Sequence, residues 1–253
     1  ILKWSKYGYD GYGNRMVEGR PTAAEQEFCQ YALGREVPVF AEEKINFDHE
    51  VSLVSCRSQS GEFFFYPLVI SVQKNGACYW VKGPATSFSI SAEAEMKARD
   101  YATRIAQEAN LYGVFVVEFF WNESSGLMVN EIAPRVHNTG HFSLSAANKS
   151  QFEIHVQAAL QEKIDPLTTK KFFGMLNILG RYQIPNCADL VGPDFLNTEF
   201  FWYGKKEMRK GRKMGHLNFW ADNLQEFEEL SERVRAWEEV FWESLKTEVR
   251  GEG

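Results

Sequence analysis

Two acidic residues lie in apolar segments that the sequence predicts to be neighbouring strands of one hairpin. Glu118 lies within residues 114–121 and Glu131 within residues 127–132, and the connection 123–126 has the length and the glycine of a common hairpin loop. Antiparallel pairing with an unbroken register then places Glu118 directly opposite Glu131. Two carboxylates at that distance repel each other unless one is protonated or a cation lies between them.

A divalent cation bound between the two acids would remove this repulsion and would give the pair a function. Carboxylates with open coordination positions suit Mg²⁺, which keeps several waters and takes its remaining ligands from substrate phosphates. The predicted pleat otherwise places apolar residues beside the acids, namely Val114, Val116, Phe120, Leu127 and Val129. A register slip of one residue would instead turn one acid to solvent, so the sequence alone leaves both alternatives open.

A segment rich in hydrogen-bond donors follows the second strand and favours the functional alternative. Its polar side chains are Arg135, His137, Asn138 and His141. Because they come at the end of the strand that bears Glu131, we expect them to hold an anion or a substrate near the two acids.

The composition excludes several classes of function. The chain has 253 residues, 44% of them hydrophobic, and can bury the core of one large domain or two smaller ones. A net charge of −6 argues against nucleic acid or an anionic membrane surface as the main partner. No apolar run approaches the ~20 residues that span a bilayer, and no signal peptide is visible. The four cysteines show no C-x-x-C spacing, so we expect reduced, mostly buried thiols of a cytoplasmic protein.

The remaining pattern predicts an α+β fold. Predicted strands cover residues 37–43, 50–57, 62–73, 77–82, 175–180, 199–203 and 213–219. Predicted helices cover residues 22–33, 91–110 and 150–161, and a last helix starts at Asn223. We expect Ala98, Ala102, Ile105 and Ala109 to face inward in the second helix, and Phe152 and Val156 in the third. The last helix carries an apolar stripe that we expect to pack on its own domain, with the binding of a partner as the alternative. Its residues are Phe227, Leu230, Val234, Trp237, Phe241 and Leu245.

Two loops are candidates for binding phosphate. Gly8, Gly11 and Gly13 lie near Lys3, and exposed backbone N–H groups of such a loop can cradle phosphate, although a simple turn is the alternative. The second loop, residues 204–213, is called here the basic loop. Its cations are Lys205, Lys206, Arg209, Lys210, Arg212 and Lys213. A solvated charged turn is the alternative to a phosphate site in this loop.

Six segments occur in an order that resembles a known family. They are residues 9–11, 50–61, 130–141, 150–155, 175–180 and 203–216. In these segments the chain resembles ATP-grasp enzymes and, among them, the 5-(carboxyamino)imidazole ribonucleotide synthetases, the ATPase subunit of phosphoribosylaminoimidazole carboxylase. The resemblance extends from Ile1 to about Leu217.

The resemblance implies a fold and a domain organisation. Residues 1–174 would form an ATP-grasp domain, in which two lobes with antiparallel sheets clamp ATP. Residues 175–253 would form a small, β-rich C-terminal subdomain that holds the basic loop and the last helix. The family also has an N-terminal Rossmann-like domain of roughly one hundred residues, which we expect before Ile1, and it tends to form homodimers.

The resemblance also implies a reaction, that of an ATP-dependent carbon–nitrogen ligase in purine biosynthesis. ATP phosphorylates bicarbonate to carboxyphosphate, and the amino group of aminoimidazole ribonucleotide then captures the carboxyl group, with release of ADP and phosphate. ATP and Mg²⁺ are the implied cofactors. Another ATP-grasp ligase and a non-catalytic, nucleotide-binding remnant of the fold are the alternatives.

Individual roles follow from the matched positions. The residues implied to bind ATP are Lys3, Glu42, Glu43, Ile45, Glu50, Asn130 and Glu131. Those implied to bind the ribonucleotide are Tyr9, Asp10, Arg135, Lys205 and Arg212. Arg135 and Asn138 are the implied catalytic residues, and Glu118 and Glu131 the implied Mg²⁺ ligands. The family's glycine-rich loop usually reads Tyr-Asp-Gly-Lys-Gly-Gln, so Tyr12 replaces a lysine here, and Thr139 stands where serine is common.

Overall fold

A computed structural model describes residues 1–8, 12–185, 187 and 190–251 of the chain. The chain divides into two units, each with its own sheet. We call them the small unit (Ile1–Asn46 with Gln73–Ala77) and the large unit (Phe47–Val72 with Cys78–Gly253).

The small unit is built on a sheet of three short strands. Strand β1 (Leu2–Trp4) pairs antiparallel with β2 (Asn14–Arg15) on one side and with β3 (Val39–Ala41) on the other. Helix α1 (Ala23–Leu33) begins after a capping box, in which the Thr22 N–H donates to the Glu25 carboxylate at 2.8 Å. The prediction of a buried strand over residues 37–43 is wrong in part, because β3 is shorter and exposes Phe40.

The large unit is built on one antiparallel sheet, in which some strands are long and others short. Its strands are β4 (His49–Arg57), β5 (Phe63–Phe65), β6 (Val69–Lys74), β7 (Ala77–Gly83), β8 (Gly113–Asn122), β9 (Gly126–Ala133), β10 (Phe172–Leu179), β11 (Thr198–Trp202) and β12 (Lys213–Ala221). Their spatial order in the described chain is β11-β12-β10-β7-β6-β4-β8-β9, and β5 pairs with β4.

Helices lie between these strands in the sequence. They are α2 (Ala92–Glu108), α3 (Ser143–Ala146), α4 (Gln151–Leu160) and α5 (Leu224–Gly251). Within the described ranges, every helix is too short or too polar to span a bilayer. The predicted α+β class is therefore what the structure shows.

The predicted single strand over residues 62–73 is wrong, because Tyr66–Leu68 separates β5 from β6. Pro67 has no N–H group for a sheet ladder, so the strand is interrupted there. Tyr66 is buried, and its hydroxyl donates to the Lys149 carbonyl oxygen at 2.7 Å. The interruption thus fixes this part of the chain to the segment that precedes α4.

Helix α4 presents a face to the core that differs from the prediction. Phe152 and Val156 are 39% and 54% exposed, whereas Gln151, Ile154 and Ala158 are buried. The helix carries two apolar stripes at helical spacing, and sequence reasoning chose the wrong one because the buried stripe begins with a polar glutamine. In α2 the inward face is Ala94, Ala98, Ala102 and Ala106, so Ala98 and Ala102 were predicted correctly and Ala109 was not.

Both faces of the large sheet are covered by helices. Helix α2 packs on Val51, Leu53 and Phe115 of one face, and α4 packs through Ile154 and Ala158 on the other. Helix α5 packs on β10 and β12 through the predicted apolar stripe, which is confirmed, and through wholly buried Trp242.

The predicted boundary between residues 174 and 175 lies inside strand β10. This strand pairs with β7 on one side and β12 on the other, so no break between elements marks the start of a subdomain there. The division into residues 1–174 and 175–253 stays a prediction.

Candidate functional site

The hairpin of β8 and β9 brings two acids together. Glu118 pairs directly with Glu131, as the sequence predicts. The register is not constant, however. It shifts by one residue between Glu118 and Phe119, because Phe119 pairs with Val129 and Asn130 is the additional residue of a β-bulge. Two consecutive residues, Asn130 and Glu131, therefore lie opposite Glu118.

The bulge, not the loop, produces the pairing of the acids. The turn is tighter than predicted, since Asn122 pairs with Gly126 and the Asn122 side chain accepts the Ser124 N–H at 3.0 Å. With an unbroken register this tighter turn would place Glu118 opposite Asn130. The extra residue in β9 restores the pairing of Glu118 with Glu131.

The same shift corrects the predicted surroundings of Glu131. Leu127 pairs with Trp121 and packs with the core on the α2 side of the sheet. Val129 pairs with Phe119, a residue of that same core. The two apolar residues of β9 therefore do not share a face with Glu131, and that prediction is wrong. The prediction for the neighbours of Glu118 on β8 is better supported, since Val114 and Val116 are buried on the α4 side.

Glu118 lies in surroundings that disfavour its charge. Its side chain is 18% exposed, the Ser52 hydroxyl lies 3.4 Å from Oε1, and His137 Nδ1 lies 3.9 Å from the same oxygen. Burial, followed by the negative charges of Glu131 and Glu50, raises the pKa of Glu118 to about 7. The positive charge of Lys213 opposes this shift in part. The carboxylate pair is thus a place where an added cation would be strongly stabilised.

The segment after β9 carries hydrogen-bond donors, and His137 is the one that approaches Glu118. His137 is the N-cap of a short 3₁₀ turn (Asn138–Gly140), and its Nδ1 lies 2.9 Å from Thr139 Oγ1. Asn138 is buried, and within the described chain neither its amide oxygen nor its amide nitrogen has a hydrogen-bond partner. A buried amide without partners is costly unless a ligand satisfies it. Arg135 is exposed and donates to the neighbouring Val136 carbonyl oxygen at 2.9 Å.

A face of the large sheet carries polar residues next to an apolar core. Ser52, Glu118 and Asn177 each lie two positions along their strand from a residue of the core on the α4 side. Alternation along a strand therefore places all three on that same face. The core residues concerned are Val54, Val116 and Met175. Strand β12 adds His216, which pairs directly with Asn177.

Two histidines next to this polar region are held in the neutral form. Burial lowers the pKa of His141 to about 4, and burial together with the charge of His141 lowers that of His216 to about 3. Their rings are 5.0 Å apart, and the Tyr203 hydroxyl lies 2.8 Å from His216 Nδ1. Sequence reasoning assigned neither His216 nor Lys213 to the site, because their approach depends on pairing between strands distant in the sequence.

The basic loop is folded back on itself. Lys205 Nζ donates to the Lys213 carbonyl oxygen and Arg212 Nη1 to the Glu207 carbonyl oxygen, both at 2.6 Å. The predicted bends are present, since Gly204 and Gly211 have φ angles of +62° and +78°. Burial and then the charges of Arg212 and Lys213 lower the pKa of Lys205, so cations are crowded in this loop. Such crowding favours the binding of an anion over a simple solvated turn.

In the small unit, Lys3 forms a salt bridge with Glu42 at 2.5 Å. Glu42, Glu43 and Ile45 follow β3 in a segment without helix or strand. Tyr12 packs edge-on against Trp4, with ring centroids 5.1 Å apart. The family's lysine is thus replaced by an aromatic contact. Tyr9 and Asp10, the predicted ribonucleotide-binding residues of this loop, lie outside the described residues.

Comparison with protein families gives two matches. Residues 1–152 match the ATP-grasp domain, and residues 174–230 match the phosphoribosylaminoimidazole carboxylase C-terminal domain. The first match includes Glu50, Glu118 and the segment 135–141, and the second includes the basic loop.

Several curated relatives carry the same name. The N5-carboxyaminoimidazole ribonucleotide synthase of Saccharolobus solfataricus is 33% identical over 92% of this chain and 59% of its own length. The enzyme of the same name from Vibrio cholerae is 38% identical over 88% of this chain and 57% of its own length. The chain thus spans less than two thirds of the length of these relatives.

Solved structures agree with this similarity. Carboxyaminoimidazole ribonucleotide synthase from Aspergillus clavatus in complex with ATP superposes with a TM-score of 0.79 at 30% identity, over 94% of this chain and 62% of that one. Its complex with ADP and 5-aminoimidazole ribonucleotide gives a TM-score of 0.72 at 27% identity, over 85% and 58%.

Proposed function

Because this chain belongs to the ATP-grasp family, we propose that it catalyses the ATP-dependent carboxylation of 5-aminoimidazole ribonucleotide. ATP phosphorylates bicarbonate and leaves as ADP. The amino nitrogen of the ribonucleotide then attacks the carbon of carboxyphosphate, phosphate leaves, and a carbon–nitrogen bond forms. The C-terminal domain match and the names of the relatives support this member of the family over another ATP-grasp ligase.

The observation that carries the proposal is the pairing of Glu118 with Glu131. A non-catalytic remnant of the fold has no need to keep Glu131, whose negative charge disfavours the ionised form of Glu118. Carboxylate oxygens are the ligands that Mg²⁺ prefers. Burial, followed by the charges of Glu131 and Glu50, raises the pKa of Glu118, and an added cation would oppose that shift. The residues therefore fit the metal, and Glu118 and Glu131 would hold it. Bound there, Mg²⁺ would neutralise charge on the phosphates of ATP.

The other residues would position the reactants. In the large unit the negative charge of Glu50 raises the pKa of Glu118, so the two residues lie near each other. We propose that Glu50 contacts the ribose of the same nucleotide. Asn130 lies opposite Glu118 through the bulge and would contact ATP. In the small unit we propose that Lys3 contacts the phosphates of ATP and that Glu42, Glu43 and Ile45 contact adenine.

The donor segment would bind the carboxyphosphate. Asn138 has a buried amide that a ligand oxygen would satisfy, and the exposed guanidinium of Arg135 is available for a charge-assisted hydrogen bond. In the basic loop, Lys205 and Arg212 would bind the phosphate of the ribonucleotide. Tyr9 and Asp10 stay predicted contacts of this substrate. Fixed donors and positioned reactants are the main sources of rate enhancement in phosphoryl transfer.

Assembly and location are further parts of the proposal. A homodimer follows from the resemblance, and sedimentation velocity of the full-length protein would test it. We propose a cytoplasmic location because cysteines such as Cys29 and Cys56 are free thiols and not part of disulfides.

The experiment that tests the reaction is ADP release by the full-length protein. We expect release to require both bicarbonate and 5-aminoimidazole ribonucleotide, because carboxyphosphate is formed from one and captured by the other. Glu131→Gln should lower the rate by about 100-fold or more, since it removes a metal ligand. Glu123→Gln, on the exposed turn of the same hairpin, is the matched control and should keep the wild-type rate. Equal release with either substrate omitted would refute the proposed reaction.

A further inference from the structure

The segment 150–155 belongs to the motifs that point to the family, yet nothing in the proposed reaction uses it. Gln151, the first residue of α4, is wholly buried although it is polar. A buried glutamine is uncommon, and it is tolerated only where its amide is hydrogen-bonded. The partners of this amide therefore show what the residue does.

The amide of Gln151 binds both ends of the segment 137–141. Its Oε1 accepts the His137 N–H at 2.9 Å, and its Nε2 donates to the His137 carbonyl oxygen at 2.7 Å. The second hydrogen of Nε2 is directed at His141 Nδ1, which lies 2.9 Å away. One side chain thus fixes the backbone of His137 and the ring of His141 together.

The orientation of this amide is determined by its partners. A backbone N–H only donates and a backbone carbonyl only accepts, so the two contacts with His137 identify the oxygen and the nitrogen of the Gln151 amide. His141 Nδ1 is then the acceptor. This agrees with the neutral state of His141, whose burial lowers its pKa.

Two further contacts leave the segment little freedom. The Gln151 backbone N–H donates to Ser143 Oγ at 2.9 Å, and that hydroxyl donates to the Gly140 carbonyl oxygen at 2.6 Å. A Cβ atom on residue 140 would lie 2.5 Å from Gln151 Oε1, so the contact between them leaves no space for a side chain there.

The consequence concerns Asn138, which lies between these fixed points. Its buried amide has no hydrogen-bond partner in the described chain, so no side-chain hydrogen bond holds it in place. The position of Asn138 is set by the backbone of the residues on either side. His137, whose ring approaches Glu118 to 3.9 Å, depends on the same backbone.

We propose that Gln151 is a positioning residue that holds the His137–His141 segment in the geometry required to bind carboxyphosphate. This inference rests on the proposed function for the identity of the ligand. The clamp itself rests only on the contacts of Gln151. Because the hydrogen bonds of the Gln151 amide reach only His137 and His141, Gln151 should affect the rate of the chemical steps more than the binding of ATP.

The test compares Gln151→Met with Ser150→Ala in the full-length protein. Methionine keeps the volume of glutamine and removes its hydrogen bonds. Ser150 caps α4, where its hydroxyl accepts the Glu153 N–H at 3.2 Å, so Ser150→Ala weakens the start of the same helix without touching residues 137–141. Both variants should lower the melting temperature.

We expect Gln151→Met to lower kcat for ADP release by about 100-fold, as for a reactant displaced by about 1 Å. The KM for ATP should stay within about twofold of the wild type. Amide hydrogen exchange of residues 137–141 should accelerate in Gln151→Met and stay unchanged in Ser150→Ala, whose kcat should equal that of the wild type.

The inference is overturned if Gln151→Met keeps the wild-type kcat or if exchange of residues 137–141 is unchanged. It is also overturned if Ser150→Ala lowers kcat as much as Gln151→Met does at a similar loss of melting temperature, because that is the behaviour of a purely structural residue. If the wild type releases no ADP with both substrates, the proposed reaction fails. The exchange measurement still decides whether Gln151 holds the segment.

Discussion

Glu118 carries a carboxylate whose surroundings favour its protonated form. The pKa rises from an ordinary value of 4.5 to about 7, chiefly through burial and then through Glu131 and Glu50. Between these pH values the folded protein binds a proton that the unfolded chain has released. The contribution of this group to stability is therefore complete below about pH 4.5 and is lost as the pH rises to about 7.

Replacement of Glu118 by glutamine should remove this loss. In buffer with a chelator, we expect the free energy of unfolding of the wild type to fall, from about pH 5 to about pH 8, by up to about 3 kcal/mol more than that of Glu118→Gln. Urea denaturation at several pH values measures the difference. Glu108→Gln, at the exposed end of α2, is the control and should keep the wild-type pH dependence. An identical pH dependence in Glu118→Gln would contradict the raised pKa.

At the scale of elements, local sequence patterns predicted many of the strands and helices. Apolar runs identified β8 and β10, and capping residues located the starts of α1, α2 and α5. The bulge at Asn130 was not predictable, because nothing in the local sequence distinguishes an extra residue in a strand from an ordinary one. The inward face of α4 was missed because a buried glutamine resembles an exposed one in the sequence.

Helix α5 offers a test of how much one element contributes to the core. Phe227 is 2% exposed and packs with Phe219 and Phe172 of the sheet. Truncation to alanine removes this packing and leaves a cavity, so Phe227→Ala should lower the free energy of unfolding by about 3–5 kcal/mol. Equilibrium urea unfolding is the measurement. Glu229→Ala, on the exposed face of the same helix, should change it by less than about 0.5 kcal/mol. A small effect of Phe227→Ala would show that α5 is not part of the cooperative core.

At the scale of the whole molecule, the local sequence predicted that the two acids pair. The residues around them come from the pairing of strands that are distant in the sequence. Glu118 and Glu131 are separated by one turn, so their pairing was accessible from hairpin rules. Lys213 and His216 reach this region through β12, and Asn177 through β10. These approaches depend on the strand order of the large sheet, which alternation within single strands does not specify. The resemblance to a family suggested the reaction, and the pairing of Glu118 with Glu131 supports the proposed metal site.

The central claim is that Glu118 and Glu131 together hold the divalent cation that accompanies ATP. The most direct measurement is a crystal structure of the full-length protein with Mn²⁺ and a non-hydrolysable ATP analogue, with data collected at the manganese absorption edge. The account predicts an anomalous peak at coordination distance, about 2.0–2.2 Å, from a carboxylate oxygen of each of the two residues. A manganese peak elsewhere, with both carboxylates outside its coordination shell, would contradict it.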